Sequence, residues 1–280
     1  LNLGLGAVTL SSTPTITTNG SSVLTVGGVI SGAGVGVTKA GNGSLTLSGA
    51  NAYTGATTVN SGTLNLTGSA ALTGGLVVRG GGTLNLNGTF GASAVANTFI
   101  VGQAAGNGIL NIPTGVTLTR SNLFLGDAAG VTGAVYQSGG AVTLTQAAGV
   151  DNLRIGSAVS GSGYYNLSGG TLTANEIGVG GPTNDTTGVM DVTAGTATSN
   201  GWLVVGRGGA KSSGSLNVSG GTVNFGSTAA NPLAINWAGT SGAASVVNIG
   251  GGAGAAAVRG ASATAAGRGL NLAVGNAAGT

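Results

Sequence analysis

A triplet with apolar residues on either side of a central Asn, or of a residue in its place, recurs nine times along the chain. The triplets are usually flanked by Gly. Their central residues are spaced 20, 26, 25, 30, 25, 26, 31 and 23 residues apart. A period of this length predicts a stacked repeat array. The central residues are Asn65, Asn85, Asn111, Tyr136, Asn166, Asp191, Asn217, Asn248 and Asn271.

Residues 214–239 show which elements one period predicts. Residues 215–219 alternate between polar and apolar, which is the pattern of a strand buried on one face, and Gly220 and Gly221 end it. The same alternation returns in residues 222–225 and 233–237. No window sustains the apolar spacing and end signals of a helix. Each coil is therefore predicted to contain three short strands joined by turns.

A single coil of this kind cannot bury its apolar face alone, but a stack of coils can. Each strand would then pair in parallel with its copy one turn away, about 4.8 Å distant. We predict an all-β parallel β-helix, or β-solenoid, of about eleven coils of 20–31 residues that runs as one unit through residues 1–280. The flanking Leu, Ile and Val would point inward and the central Asn outward. Because the chain starts at Leu1 without Met, we expect it to be part of a longer protein.

A second set of Asn residues precedes apolar strands that end near Gly, and we predict that it forms one column at a tight bend. Asn tolerates the left-handed conformation and bonds to its own backbone. This favours turn formation over an array that binds glycans or ice. The set comprises Asn97, Asn122, Asn152, Asn175, Asn200 and Asn231.

The composition fits a secreted or surface-exposed β protein. Of 280 residues, 60 are Gly, 8 are Lys or Arg and 5 are Asp or Glu, with no Cys or His. The chain is too apolar and too weakly charged for a solvated disordered segment. Its few cations are scattered, without the basic cluster or aromatic pattern of a nucleic-acid-binding protein. Without Cys it forms no disulfides.

The five acidic residues do not form a catalytic pair in this register. Hydrolysis of a glycosidic bond needs two carboxyl groups about 5 to 10 Å apart. Alignment on the Gly residues that end the strands places Asp127 in the column of Gln103, Ser157 and Arg207. Asp151 and Glu176 flank the Asn turn on opposite sides, Asp185 lies in a loop and Asp191 lies in the Asn column. We therefore predict no enzyme, no catalytic, cofactor-binding or metal-binding residues and no small-molecule substrate.

Aromatic residues offer a weaker functional hypothesis. Trp202 and Trp237 fall in equivalent third strands, whereas Tyr136, Tyr164 and Tyr165 fall in first strands. Together they could form a platform on which carbohydrate stacks. We favour the interpretation that they fill or cover wider coils.

Residues 37–66 read VTKAGNGSLTLSGANAYTGATTVNSGTLNL, which resembles the autotransporter-associated β-strand repeat. The matching positions are Thr38, Lys39, Gly41, Gly43, Leu45, Leu47, Ser48, Gly49, Asn51, Tyr53, Thr54, Gly55, Thr57, Val59, Gly62 and Leu64. We assign residues 36–66 to this repeat type and residues 97–280 to looser coils rich in Gly and Asn. The resemblance implies a right-handed, single-stranded β-helix in the passenger of a secreted bacterial surface protein, where such repeats help folding and export.

The leading functional hypothesis is a non-catalytic structural or display segment at the bacterial cell surface or outside the cell, either a stiff stalk or an adhesin-like passenger. Host surfaces or surface glycans would be its partners. The first alternative is a filament subunit that stacks end to end with copies of itself, because Leu1–Gly4 and Leu270–Leu272 both resemble ongoing coils. The second alternative is a β-helix that binds or cleaves glycans.

Overall fold

The computed structural model describes residues 1–69, 73–91, 98–104, 106–146, 152–208, 211–226, 233–237, 244–250 and 255–260. These residues form strands and turns, and none of them belongs to a helix that could cross a membrane. The strands are β1 (Val8–Thr9), β2 (Thr15–Thr17), β3 (Val23–Val26), β4 (Ile30–Gly32), β5 (Val37–Ala40), β6 (Ser44–Leu47), β7 (Ala52–Tyr53), β8 (Thr57–Val59), β9 (Thr63–Leu66), β10 (Leu76–Val78), β11 (Gly82–Leu86), β12 (Thr89–Phe90), β13 (Thr98–Val101), β14 (Gly108–Ile112), β15 (Thr117–Arg120), β16 (Asn122–Leu125), β17 (Thr132–Leu144), β18 (Leu153–Ile155), β19 (Ser162–Ala174), β20 (Ile177–Val179), β21 (Thr187–Ser199), β22 (Leu203–Arg207), β23 (Ser213–Val218), β24 (Gly221–Phe225), β25 (Leu233–Trp237), β26 (Val246–Ile249) and β27 (Ala256–Gly260).

The strands stack into long parallel sheets that run along one axis. The back sheet has ten strands in the order β2-β5-β8-β10-β13-β16-β18-β20-β22-β25. The main path of the front sheet is β3-β6-β9-β11-β14-β17-β19-β21-β23-β26, with β12, β15, β24 and β27 paired beside it. A third sheet contains β1, β4 and β7. Each strand pairs in parallel with strands of the neighbouring coils, which confirms the predicted parallel β-helix.

The interior consists of like residues stacked on like residues. Leu45, Leu64, Leu84 and Leu110 occupy one inward column through successive pairs of the front sheet, and each has 0% exposed surface. Such burial is worth about 25 cal/mol for each Å² of apolar surface removed from water. The predicted inward position of the residues that flank each central residue is therefore confirmed from Leu64 to Val218, whereas at the last described triplet Val247 is half-buried and Ile249 is 57% exposed. The triplet Leu270–Leu272 lies outside the described residues.

The predicted three-strand coil is confirmed in residues 213–237, where β23, β24 and β25 follow one another. In the preceding coils the first two strands are joined instead, so that β17, β19 and β21 each run for 13 residues. Gly140, Gly170 and Gly195 lie inside these strands at positive φ. The Gly residues bend the chain as predicted, but the pairing resumes beyond each bend.

A column of Gly precedes the triplets because the first strand passes very close to the back sheet there. Gly133, Gly163, Gly188 and Gly214 are level with one another in the front sheet. A Cβ atom added to Gly188 would lie 2.1 Å from a backbone nitrogen, and one added to Gly133 would lie 1.8 Å from a backbone oxygen. Only Gly fits this junction, which explains its recurrence before the triplets.

The predicted single column of turn Asn residues is wrong. Pairing of Leu153 with Ile177 places Asn152 level with Glu176 rather than with Asn175. Register follows the strands, whereas the number of residues between each turn Asn and its strand varies. Asn152 nevertheless has the predicted turn role, since its Oδ1 accepts the backbone N–H of Glu176 at 3.0 Å. Two members of the set, Asn97 and Asn231, lie outside the described residues.

Candidate functional site

The central residues of the triplets share one outward column on the front sheet, which we call the ladder column. Strand pairing places each member directly over the next one along the axis. The predicted outward column is therefore confirmed for the described triplets. Its members in axial order are Asn65, Asn85, Asn111, Tyr136, Asn166, Asp191, Asn217 and Asn248.

Side-chain amides link the two ends of the ladder column. The Nδ2 of Asn85 donates to Oδ1 of Asn65, and that of Asn111 donates to Oδ1 of Asn85, both at 2.7 Å. At the other end, Asn248 donates to Asn217 at 2.7 Å. Asn65, Asn85 and Asn217 each use the donor on one neighbouring coil and the acceptor on the other. These chains of bonds stiffen the outer face.

Between these two amide chains the ladder column is interrupted by Tyr136. Its side chain is 44% exposed, and its ring centroid lies 5.7 Å from that of Tyr164 with the planes at 61°. This edge-to-face geometry is a favourable arrangement of two aromatic rings. Tyr164 belongs to the neighbouring outward column, one coil further along. The contact therefore runs diagonally across two strands.

Tyr164 also connects the aromatic pair to a carboxylate. Its hydroxyl donates to Oδ2 of Asp191 at 2.8 Å, and Oδ1 of Asp191 accepts the amide of Asn217 at 2.7 Å. Partial burial raises the pKa of Tyr164, and the bond to Asp191 raises it further. The phenol therefore stays protonated near neutral pH. An ionised carboxylate offers about four acceptor positions, so two of those of Asp191 remain open.

A small side chain, Ala134, lies two residues before Tyr136 on the same outward face. In the outward column that contains Tyr164, Ala134 lies between Ile109 and Tyr164. Ile109 is 37% exposed, and Ala134 is half-buried. The aromatic patch, as we call this site, comprises Ile109, Ala134, Tyr136, Tyr164, Asn166 and Asp191.

Beneath the aromatic patch, two inward positions carry polar side chains instead of the aliphatic ones found in most other coils. Gln137 and Tyr165 both have 0% exposed surface, and the Tyr165 hydroxyl donates to Oε1 of Gln137 at 2.5 Å. The Nε2 of Gln137 donates to the backbone oxygen of Thr171 at 2.9 Å. Burial raises the pKa of Tyr165 well above its usual value. Two polar side chains that stand where other coils have aliphatic ones therefore satisfy each other's hydrogen-bonding groups.

The acidic residues that the structure describes occupy different parts of the coil. Asp127 accepts a hydrogen bond from the Ser157 hydroxyl at 2.9 Å, which confirms their shared column. The buried carboxylate of Glu176 pairs with Arg207. Asp185 lies at a turn with φ of 58°, whereas Asp151 lies outside the described residues. Among the residues that the structure describes, no three His, Cys, Asp or Glu residues group together to hold a metal ion.

The aromatic residues proposed from the sequence divide between the interior and the surface. Tyr165 fills the interior, whereas Tyr136 and Tyr164 form the outer patch. In the pairing of β22 with β25, Trp237 at the end of β25 lies level with Arg207. Trp202 comes before the first residue of β22. The two Trp residues therefore lie at opposite ends of the equivalent strands and do not share a column. The sequence signal for the patch is the replacement of the central Asn by Tyr136.

Polar residues of the motif in residues 37–66 lie inside the fold. Lys39 has 0% exposed surface, and its Nζ donates to three backbone oxygens at 2.6 to 3.2 Å. Burial lowers the pKa of Lys39. Asn51 accepts the backbone N–H of Ile30 at 3.0 Å, and the Tyr53 hydroxyl lies 2.7 Å from that of Thr57. These side chains satisfy the turns of the coil rather than face a ligand.

Comparison with known proteins supports the assignment of residues 37–66 to a transport repeat. Residues 37–66 and 61–86 match the family model described as passenger-associated-transport-repeat. The chain is also similar to the protein named Adhesin BmaC autotransporter from Brucella suis biovar 1 (strain 1330), with 29% identity over 203 residues. That alignment covers 67% of this chain and 5% of the relative. No solved structure matches the chain. The resemblance in residues 37–66 is confirmed: the chain carries repeats of the kind found in autotransporter passengers.

Proposed function

We propose that this chain is a non-catalytic, adhesin-like display segment in the passenger of a bacterial surface protein. The observation that carries the proposal is the position of the repeat-motif side chains. Lys39, Asn51 and Tyr53 are buried and bonded within or between neighbouring coils, so the motif builds the rod. The outer face of the front sheet is then available for contacts.

Continuous parallel sheets along the rod suit a segment that holds a binding surface away from the cell. Ten strands in the back sheet correspond to an axial length of about 43 Å at a spacing of about 4.8 Å. Bending such a rod requires backbone bonds and buried apolar columns to separate on one side. Side-chain bonds along the ladder column oppose that separation further.

Surface display of the chain tests the proposal directly. Residues 1–280 would be placed between a signal peptide and the translocation unit of an unrelated autotransporter. We expect antibody and protease to reach the segment on intact cells, and the cells to adhere to cultured host cells or extracellular matrix. A fusion that lacks residues 1–280 is the control. Normal surface exposure without any gain in adhesion would contradict the adhesive role.

Assays of the purified chain address the two alternatives. Electron microscopy is expected to show short rods, and long fibres would instead favour an end-to-end filament. Incubation with a panel of polysaccharides is expected to release no reducing ends. Sustained release that is lost in Glu176→Ala would contradict the non-catalytic function.

A further inference from the structure

We propose that the aromatic patch binds one pyranose unit of a surface carbohydrate, an inference that rests on the proposed adhesive function and names its ligand class. Binding sites for small ligands combine an apolar surface with a few fixed polar groups. Tyr136 supplies the apolar surface here, and Asp191 and Asn166 supply the polar groups. All three belong to consecutive positions of the ladder column.

Tyr136 provides a surface on which the C–H face of a sugar ring can lie. It is among the most exposed large side chains of the front sheet, with 44% of its surface accessible. The edge contact with Tyr164 limits the orientations of its ring. A restrained aromatic ring loses little conformational entropy when a ligand stacks on it.

The hydroxyl groups of the sugar would bond to oxygen atoms that are already held in place. Asp191 is fixed by Tyr164 through one oxygen and by Asn217 through the other. Its two open acceptor positions can receive adjacent hydroxyl groups, and bonds to a charged acceptor are the stronger kind. Asn166 lies between Tyr136 and Asp191 and adds an amide.

The surroundings of the patch favour a carbohydrate over a cationic ligand. Cation sites of the aromatic-cage type enclose the charge between several ring faces. Here the planes of the two rings stand at 61° to each other, so the rings do not form facing walls around a charge. The neighbouring positions of the ladder column are the neutral amides of Asn111 and Asn217. They would allow a longer glycan to continue along the axis of the rod.

A glycan array probed with the purified chain is the first part of the test. A sugar that binds would then be titrated against the chain and three variants by calorimetry. Tyr136→Ala is expected to weaken binding at least tenfold, and Asp191→Asn several-fold because a charged acceptor is lost. Thr63→Ala alters a half-buried residue in the outward column of Tyr164, four coils away, and is expected to leave affinity unchanged. Circular dichroism would establish that each variant is folded.

Several results would overturn the inference. They are the absence of any glycan that binds, equal affinity of wild type and Tyr136→Ala, and binding of tetramethylammonium but no neutral sugar. The cell adhesion assay separates this failure from failure of the proposed function. If cells that display Tyr136→Ala adhere like wild type, the carbohydrate site is wrong while the adhesive function stands. If wild type itself does not adhere, the proposed function fails.

Discussion

Single polar residues inside this solenoid act on its backbone or on one another. Lys39 bonds to three carbonyl oxygens of its own turn and the next coil. Gln137 and Tyr165 satisfy each other across two coils. A buried polar group without a partner costs about 1–3 kcal/mol, so these pairs are needed in the interior. Their effect is measurable one residue at a time.

Tyr53 is expected to make the stability of the fold depend on alkaline pH. Burial raises the pKa of Tyr53 to about 12 from its ordinary value of 10.0, opposed by the bond to Thr57 and the charge of Arg120. Because the pKa is higher in the folded protein, the stabilisation is complete below pH 10 and is lost as the pH rises towards 12. Two pKa units correspond to about 2 to 3 kcal/mol. Urea unfolding of wild type and Tyr53→Phe between pH 8 and 12 measures the difference, and parallel profiles would contradict it.

The interior pair predicts coupling between two substitutions. Tyr165→Phe deprives Oε1 of Gln137 of its buried donor, and we expect a loss of about 1–3 kcal/mol in the free energy of unfolding. Gln137→Leu likewise deprives the Tyr165 hydroxyl of its acceptor. The double variant should lose less than the sum of the single losses, because neither partner is then left alone. Urea unfolding of the four proteins gives the coupling energy, and simple additivity would contradict the pairing.

Elements of this fold are defined by columns that run across strands rather than by the strands alone. The ladder column depends on an alternation of donors and acceptors from coil to coil. Asp191 has no side-chain donor, and it fits because Asn217 and Tyr164 both donate to it. The Gly column depends on space, because the first strand passes against the back sheet. Each column predicts its own pattern of tolerated substitutions.

A second carboxylate next to Asp191 is expected to disturb the ladder column. Asn217→Asp removes the amide N–H group that donates a hydrogen bond to Asp191. It also places like charges on adjacent strands, which costs about 1 kcal/mol. The exchanged pair Asp191→Asn with Asn217→Asp restores one amide and one carboxylate and should recover most of the stability. Thermal unfolding at pH 7 provides the measurement, and no recovery in the exchanged pair would count against the ladder column.

The Gly column predicts a strong response to a single methyl group. A Cβ atom at Gly163 would lie 2.2 Å from a backbone nitrogen, so Gly163→Ala forces the first strand away from the back sheet. We expect a loss of about 1–3 kcal/mol, as for other overpacked sites. Gly91 has nothing within 4 Å of its added Cβ, and Gly91→Ala is the matched control with little effect. Thermal unfolding compares the two, and equal stability would show that the close approach is absent.

At the scale of the whole molecule, each coil is stabilised mainly by the coils on either side of it. Stability of such a solenoid is close to a sum of coil terms and neighbour terms. The interior columns connect the coils in residues 37–86 that match the transport repeat with the coils that follow. A local defect should therefore spread along the axis by neighbour contacts.

Leu110→Ala is expected to weaken the middle of the rod. Leu110 has 0% exposed surface and lies between Leu84 and Val135 in its inward column. Removing this side chain costs about 2–5 kcal/mol. Hydrogen exchange should rise first in β11, β14 and β17, with smaller changes in β5 and β22. A uniform rise along the chain would indicate a single cooperative unit instead.

In three coils the first two predicted strands are joined, but the amino-acid sequence alone predicted the period and the inward or outward direction of most side chains. It did so because alternation with a period of two fixes the buried face of a strand and Gly marks the junctions. Tertiary structure decided which residues of different coils meet. Turn lengths vary, so the contacts of Tyr136 with Tyr164 and of Asn152 with Glu176 follow from strand register alone. The sequence indicates the Tyr residues as candidates for a binding surface. Their contact with Asp191 arises only because side chains of stacked parallel strands meet diagonally.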